Sequence, residues 1–548
     1  TITCKHSGHT LHTELNPRQW HALLADYPLR QWAYRLVHDI IYGVDIGYTG
    51  VRKQTRQARN WVEDGVQTQA VDGEIDKDVQ LQRMIGPYSV PPFKHWIISP
   101  LMTVPKKGSI GKWRVVHHLS HPWGRSINSF TKDWPCTLTR FAVAIKTVCK
   151  LGKDCMMSKL DIKSAYRLIP IRPNDWPLLG LKWKQSFYFH TSLPFGLKSS
   201  CNIWERYATA AQWIVRNKLN IQDLDHYVDD YFLAAASYPV CKRQLDGIIE
   251  IFQQLGMIIA TDKTVEPTTR LVYLGITIDS NEMAISLGPD KITAIMELLD
   301  EWTDCDTCSM KQLQSVIGTL QWAANVVTHG RTFIQRLRDL EHKYIHLDNH
   351  TDESAIIIND ESREDVEWWR TFIRQWNGVS LLWDQEWLDD KHILQPFTDA
   401  CDAGYGAVCG KDWFHGQWNQ EQEDMANDGT SQRASMPWKE LFALVTAAAT
   451  WGHQWNRRRI TFRTDCQPVV DVLTKGATRS KRMMQLVRFL HYHAAKHSFV
   501  YRVIHIAGKD NIIADELSRV HVLSQFSQEC RNNINPLPTI PVLPLIQK

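Results

Sequence analysis

The stretch Leu224-Asp-His-Tyr227-Val228-Asp229-Asp230-Tyr231-Phe232-Leu233 sets two adjacent carboxylates between apolar flanks. It reads as strand, tight turn, strand, a hairpin that holds both acids where a divalent cation could meet them. Side chains alternate along a strand, so one aspartate suffices as a cation ligand while its neighbour supports the turn. The plain alternative is a solvated hairpin tip. A Tyr-x-Asp-Asp pattern with three fixed letters arises by chance about once in 8,000 positions, so the motif needs partners elsewhere in the chain.

One partner lies upstream. In Cys155-Met-Met-Ser-Lys-Leu-Asp161-Ile-Lys-Ser-Ala-Tyr166 an apolar, strand-like segment runs into an aspartate, with a tyrosine five residues later. An isolated Asp after a strand is usually a turn or cap residue. Here the 68 positions separating it from Asp229 (229 minus 161) suit two strand ends lying side by side in a βαββ-type sheet, with their carboxylates converging on two Mg²⁺ ions. That geometry serves phosphoryl transfer: one cation activates a primer 3′-hydroxyl, and both stabilise the charge that develops as pyrophosphate leaves. Carboxylate oxygens favour magnesium, which keeps water and phosphate oxygens in its shell.

Length and composition frame these motifs. At 548 residues the chain is expected to hold three or four domains, and 43% apolar with 22% charged residues is ordinary for folded cores. No run reaches the length of a membrane span, so no membrane partner is expected. The start, Thr1-Ile-Thr-Cys-Lys-His6, has neither a signal core nor an initiating Met, and the chain is expected to be a piece of a longer product or a trimmed one. Twelve scattered cysteines, with Cys305-x-x-Cys308 the single close pair, read as reduced thiols of an intracellular protein, in cytoplasm or nucleus. Cys4, His6, His9 and His12 match no common zinc-finger spacing and are read as solvated terminal residues. The net charge of +4 leaves 63 basic residues nearly matched by 59 acidic ones, so distribution says more than the sum. Basic clusters at Arg52-Lys53 to Arg59, Lys106-Lys107, Arg457-Arg458-Arg459 and Lys475 to Arg488 could each follow a phosphate backbone.

The ordered series Trp113-Arg114, Leu160-Asp161 to Tyr166, Leu193-Pro-Phe-Gly196, Tyr227 to Asp230, Gly256 to Lys263 and Leu271-Val-Tyr-Leu-Gly275 resembles the successive motifs of a retroelement reverse transcriptase. The resemblance implies an α+β and α/β multidomain chain, a right-hand polymerase of fingers, ferredoxin-like palm and helical thumb. It also implies Asp161, Asp229 and Asp230 as catalytic, metal-holding acids. By the same resemblance Arg114, with Lys106 or Lys107, grips the incoming triphosphate, and Lys263 stands where the family places a proton donor to pyrophosphate. Tyr166 would be the steric gate, a ring beneath the sugar that leaves no room for a 2′-hydroxyl. Phe195, ahead of Gly196, replaces the glutamine of retroviral enzymes, in the form seen in gypsy-like LTR and DIRS-like elements. Tyr273-Leu274-Gly275 resembles the primer grip, with Gly275 allowing close backbone approach to nucleic acid; a tight turn would look the same.

From about residue 393 a second set of acids appears at the ends of expected elements. Phe397-Thr-Asp399 ends a strand, Trp438-Lys-Glu440 begins an alanine-rich helix, Phe462-Arg-Thr-Asp465 ends another strand, and Asn511-Ile-Ile-Ala-Asp515 opens a last helix. Each alone could be a cap. Together they resemble the ordered Asp-Glu-Asp-Asp set of the ribonuclease H family, which implies a mixed sheet flanked by helices and two-metal hydrolysis of the RNA strand of an RNA/DNA hybrid, with water as nucleophile. His505, ten positions before Asp515, is spaced like the family's mobile histidine, although His505-Ile-Ala-Gly508 departs from the local pattern. Cys466 replaces an Asn common after the third acid. Lys475, Arg479, Lys481, Arg482 and Arg488 lie where related enzymes hold a hybrid-binding helix, with arginines that could straddle phosphates.

The expected plan is an N-terminal extension over 1–85 packed on the fingers, fingers and palm over 86–285, thumb over 286–345, a short connection over 346–392, the ribonuclease H domain over 393–520, and a Pro-rich tail or linker over 521–548. Through His117-His118-Leu-Ser-His-Pro, Gly330-Arg-Thr-Phe, Trp376-Asn-Gly and Ala514-Asp-Glu-Leu-Ser-Arg519 the chain is most similar to the DIRS-like group of tyrosine-recombinase retrotransposons, in which a recombinase often follows in the same polyprotein. The implied activities are RNA- and DNA-templated DNA synthesis and hybrid-specific RNA degradation. Each active site would use two Mg²⁺ or Mn²⁺ ions, and the partners are RNA template, DNA primer, RNA/DNA hybrid and dNTPs, with no oligomeric state set. The rivals are a non-catalytic nucleic-acid-binding scaffold, disfavoured because all seven acids are present in order, and an LTR-type polymerase of the same chemistry.

Overall fold

The computed structural model describes residues 9–63, 65–105, 113–303, 305–327, 329–345, 355–376, 378–381, 393–427, 435–456, 458–476, 478, 480–519 and 535–536. The chain divides between Tyr273 and Leu274 into two units.

In the first unit Asn16 opens helix α1 (Pro17–Leu23), its side chain accepting from Gln19 N, and α2 (Arg30–Tyr42) buries Ala33, Leu36, Val37 and Ile40 along one stripe. These residues are not an appendage of the fingers. Trp20 is fully buried, and both its indole Nε1 and the Asn16 amide donate to the Leu255 carbonyl at 3.0 Å, so the apolar faces of both helices join the main core instead. Next come β1 (Thr55–Gln57), α3 (Val66–Gln80), β2 (Met84–Tyr88), β3 (Trp96–Ile98), β4 (Leu101–Pro105), β5 (Trp113–His117) and α4 (Phe141–Leu151). Then follow β6 (Met156–Asp161), β7 (Gly180–Trp183), β8 (Ser186–His190), α5 (Ser200–Leu219), β9 (Leu224–Tyr227), β10 (Asp230–Ala235), α6 (Tyr238–Leu255), β11 (Val265–Thr268) and β12 (Arg270–Tyr273).

The sheet that carries the first acids has the order β11-β6-β10-β9, antiparallel throughout. The run β6-α5-β9-β10-α6-β11 in that order is the split βαβ, ferredoxin-like arrangement expected for the palm. Leu160, Tyr231 and Leu233 are buried on the face of this sheet that joins the main core, whereas Phe232, on the opposite face, is buried against Tyr273. A second sheet, β1-β3-β7-β8-β2, and the β4-β5 hairpin make the remainder, with a small core of Val71, Ile75, Met84, Leu101 and Leu181.

In the second unit β13 (Ile276–Asp279) and β14 (Ala284–Ser286) precede helix α7 (Pro289–Thr303), strand β15 (Thr307–Cys308) and helix α8 (Met310–Ala323), which opens with a Ser309/Gln312 capping box. Helix α9 (Gln335–Ile345), strand β16 (Ile356–Ile357), helix α10 (Asp360–Gln375) and strand β17 (Val379–Leu381) follow. Helix α10 packs on α7 and α9 through the stripe Val366, Trp369, Phe372 and Ile373. It therefore belongs with the helical bundle, although the sequence reading puts it in a connection.

The rest of this unit is β18 (Phe397–Ala400), β19 (Gly404–Cys409), β20 (Asp412–Gln417), α11 (Gln420–Ala426), α12 (Met436–Trp451), β21 (Arg459–Thr464), α13 (Gln467–Lys475), α14 (Lys481–Lys496), β22 (Val500–His505), α15 (Ile512–Ser518) and β23 (Asn535–Pro536). The sheet is mixed, with the order β22-β21-β18-β19-β20-β23. Strands β18, β19 and β20 are antiparallel, whereas β21 and β22 run parallel to β18. The tail expected as a linker thus contributes one short edge strand; the rest of it lies outside the described residues.

Two candidate carboxylate sites

The hairpin of β9 and β10 closes on a two-residue turn, Val228-Asp229, between the paired Tyr227 and Asp230. Two-residue hairpins favour a positive φ at their first central position, and Val228 adopts one, +57°, although its β-branched side chain resists it. The turn is held from both sides: Trp204 Nε1 donates to the Val228 carbonyl at 2.8 Å, and Ile162 N donates to the Asp229 carbonyl at 3.0 Å. Asp230 in turn lies directly across from Asp161 on β6. Three carboxylates from two adjacent strand ends are thereby gathered at one edge.

Their electrostatics are out of balance. Burial, then the neighbouring Asp161, pushes Asp229 up to about 6, and burial also raises Asp230. Lys263 Nζ sits 2.9 Å from Asp161 Oδ2 and offsets part of the charge. Oxygen-only donors with excess negative charge are the chemistry that hard divalent cations bind, but Asp161, Asp229 and Asp230 do not bring one oxygen each within 4.8 Å of one another, as a set of acids in the second unit does.

Tyr166 lies half-buried on the short 3₁₀ turn Ala165–Leu168, its ring 5.4 Å from that of Phe195 and tilted by 47°. Burial, with Cys201 and Asp229 nearby, holds its phenol well above the usual range. Phe195 is exposed, and Gly196 has φ +97° with a Cβ that would meet the His117 carbonyl oxygen at 2.4 Å, so only glycine lets this loop close on β5. Arg114 is exposed on β5. Lys106 and Lys107 lie outside the described residues.

The expected primer grip differs from its reading. Tyr273 is buried, packed 5.0 Å from Phe232, so its side chain is not offered at a surface. The Leu274 carbonyl accepts from Trp322 Nε1 at 3.1 Å, and the space left by the missing Cβ of Gly275 is taken by the Trp322 ring at 3.2 Å. The close approach that Gly275 permits is thus to a tryptophan of the same unit.

In the second unit, ligand oxygens of Asp399, Glu440 and Asp465 all lie within 4.8 Å of one another. Asp399 is at the centre of the sheet on β18, Glu440 in the first turns of α12, and Asp465 directly after β21. Burial, then neighbouring acids, pushes Glu440 up to about 9, and burial raises Asp399 to about 7. Among the described residues, Glu440 Oε2 is buried without a hydrogen-bond partner. A buried orphan acceptor among crowded carboxylates fits a cation.

The fourth expected acid stands apart. Asp515 Oδ1 accepts from Arg519 Nε at 2.8 Å, one helical turn on, and stays outside the 4.8 Å group, although it still acts on Asp399 through its charge. His505 ends β22 opposite Thr464, with Nε2 at 3.0 Å from the Asp465 carbonyl, so it is brought to this edge. The basic stretch is used differently from its reading. Arg488 is spent on the buried Asp365 and stacks over Phe333, and Arg482 donates to the carbonyls of Asp424 and Met425. Lys475 and Lys481 face a groove of about 890 Å³, and Arg479 lies outside the described residues. Sequence reasoning missed Trp204, which holds the hairpin turn and sits in no motif, and it quoted Arg519 at the end of a motif without giving it the role of partner to Asp515.

Residues 104–278 match the family model described as "Reverse transcriptase (RNA-dependent DNA polymerase)". Polyprotein P3 of Commelina yellow mottle virus is 20% identical over 383 residues, 68% of this chain and 18% of that protein. The retrovirus-related Pol polyprotein from transposon gypsy of Drosophila melanogaster is 23% identical over 377 residues, 67% of this chain and 33% of that one. The chain thus spans a third or less of the length of these curated relatives. A solved foamy viral protease-reverse transcriptase in complex with double-stranded DNA is 16% identical, covering 89% of this chain and 81% of that one with a TM-score of 0.47, a likeness too loose to build on. The stretch that holds Asp161, Tyr166, Phe195 and both hairpin aspartates is a reverse transcriptase domain of the kind carried by retroelement polyproteins.

Proposed function

We propose that the chain is a two-activity enzyme: RNA- and DNA-templated DNA synthesis at Asp161, Asp229 and Asp230, and degradation of the RNA strand of RNA/DNA hybrids at Asp399, Glu440, Asp465 and Asp515. The observation that carries it is the pair of separate, crowded and under-compensated carboxylate sets, one of them inside the matched domain. Two Mg²⁺ or Mn²⁺ ions per site would supply charge neutralisation and activation of the attacking oxygen. The chain's own residues orient and exclude. Tyr166 lies under the sugar of an incoming dNTP with Phe195 packed beside it, Lys263 stands ready to give a proton to departing pyrophosphate, and Arg114 meets the triphosphate together with Lys106 or Lys107. In the nuclease, His505 assists product release.

The same reading takes 86–285 as fingers and palm, 286–345 with α10 as thumb, and 393–520 as a ribonuclease H domain. It places the element in the DIRS-like group through His117-His118-Leu-Ser-His-Pro and Ala514 to Arg519, a group in which a recombinase often follows in the same polyprotein. The test is primer extension by the full chain on an end-labelled RNA template with dNTPs and Mg²⁺, following DNA growth and RNA shortening together. Asp229→Asn should stop synthesis and spare cleavage, and Asp465→Asn should do the reverse. Hybrid binding with neither activity in Mg²⁺ or Mn²⁺ would replace the enzyme with a binding scaffold.

A further inference from the structure

Directly after Tyr166, Arg167 is buried at 5% exposure, and its guanidinium makes more contacts than charge compensation requires. Nη2 donates to Asp78 Oδ2 at 2.5 Å and to the Arg83 carbonyl at 3.3 Å. Nη1 donates to the Ser192 carbonyl at 3.0 Å, the Leu193 carbonyl at 3.4 Å and His190 Nδ1 at 3.1 Å. One contact balances charge; the others grip backbone and an imidazole. Ser192 and Leu193 lead straight into Pro194-Phe195-Gly196, while Arg167 itself sits in the turn that carries Tyr166. One planar fork therefore fastens, from behind, both the turn under Tyr166 and the loop under Phe195. The two segments are also joined by an antiparallel bridge between Pro170 and Ser192, with Leu193 N donating to the Ile169 carbonyl at 3.0 Å and Ile171 N to the Thr191 carbonyl at 2.8 Å, but among the described residues only the guanidinium links them through a side chain from behind.

We propose that Arg167 is a positioning residue that sets the spacing of the Tyr166 and Phe195 rings, and through it the selection of deoxyribonucleotides over ribonucleotides. This rests on the reading of Tyr166 as the residue under the sugar. A ring excludes a 2′-hydroxyl only while it cannot retreat, and a rigid guanidinium fork resists that retreat where a flexible ammonium cannot. Lysine would keep the charge beside Asp78 and lose the fork. Asparagine at position 78 would remove the charge and leave the grip on Ser192 and Leu193.

The test is single-nucleotide incorporation by the full chain on an RNA template with a DNA primer, with kcat and KM measured separately for a dNTP and the matching rNTP. Arg167→Lys should lower the dNTP-to-rNTP ratio of kcat/KM by about tenfold or more, mainly by lowering KM for the rNTP, at a melting temperature near that of the parent. Asp78→Asn should hold the ratio within about twofold. An unchanged ratio in Arg167→Lys, or an equal fall in kcat for both nucleotides, would reduce Arg167 to a structural ion pair and overturn the proposal. Should Arg167→Lys fail to fold, the double variant Arg167→Met/Asp78→Leu removes the fork without stranding a charge, and the same ratio decides. If the parent protein selects dNTPs and its variant does so equally, this inference alone falls. If the parent incorporates nothing, the polymerase reading falls with it.

Discussion

Val228 keeps a φ of +57° that a β-branched residue enters at a cost of about 1–3 kcal/mol. The strain persists because the turn is bonded on both sides, by the Trp204 indole and by the Ile162 amide. Its benefit is aim: with Tyr227 and Asp230 paired, the turn presents Asp229 beside Asp161 rather than along the strand. Trp204→Phe keeps a buried ring and removes only the donor to Val228. It should lower kcat for DNA synthesis by about 10- to 100-fold while leaving the dNTP KM and hybrid cleavage near their parent values, as read by steady-state primer extension and RNA cleavage. An unchanged kcat would mean that the Ile162 amide alone fixes the turn. The Tyr-x-Asp-Asp letters were legible in the sequence because their chemistry is local, and Lys263 likewise falls beside Asp161. Trp204 was not, since an indole on a helix in another part of the chain has no pattern that ties it to a turn.

Helix α12 shows how an element can be readable and yet withhold its site. Its apolar, alanine-rich run predicts a deeply buried helix, and nearly every position from Trp438 to Ala448 is buried, Lys439 and Glu440 among them. Lys439 is compensated by Glu423 at 2.8 Å; among the described residues Glu440 has no such cation and faces Asp399 and Asp465 instead. Like charges so close, without a cation, work against the fold. With its acid pushed up to about 9, Glu440 must take up a proton to fold near neutral pH when no cation is bound; Glu440→Gln removes that cost, and its amide N–H can donate to a neighbouring carboxylate. In excess chelator the variant should melt a few degrees higher than the parent by differential scanning fluorimetry, and it should not cleave hybrid in Mg²⁺. A lower melting temperature would show that the carboxylate is required to hold α12 against β18. Asp515 marks the limit of pattern reading: the order of acids names it, but Arg519, four residues on, takes its carboxylate and it stays outside the group of three. Helix α10 marks another, because the sequence reading leaves 346–392 as a short connection and only tertiary packing could say that this helix joins α7 and α9.

At the scale of the whole molecule, the second unit is held together where the helical bundle meets α14 and β22. Arg488 pairs with the fully buried Asp365 and donates to the Thr332 carbonyl at 3.0 Å. One turn along α14, His491 bridges Thr332 Oγ1 at 2.7 Å and the Tyr501 hydroxyl at 2.8 Å. His329 stacks on His491 with ring centroids 4.3 Å apart. Burial holds His329 down to about 4, and burial with His329 and Arg488 nearby holds His491 well below its usual range, so both rings are neutral in the folded protein. The unfolded chain binds these protons near pH 6.5 and the folded one does not, so the stabilising contribution is complete above that pH and is lost as pH falls toward 4. For His329 the loss is on the order of 3 kcal/mol across that window. His329→Asn keeps a side chain that tolerates the left-handed backbone at this position, φ +61°, and cannot protonate. The variant should unfold at lower urea than the parent at pH 7.5, because stacking is lost. Between pH 6.5 and 4.5 its urea midpoint for loss of the helical signal should fall less steeply than the parent's. Equal slopes would mean that this joint opens to water before the rest of the unit unfolds, and that its histidines titrate as they do in the unfolded chain.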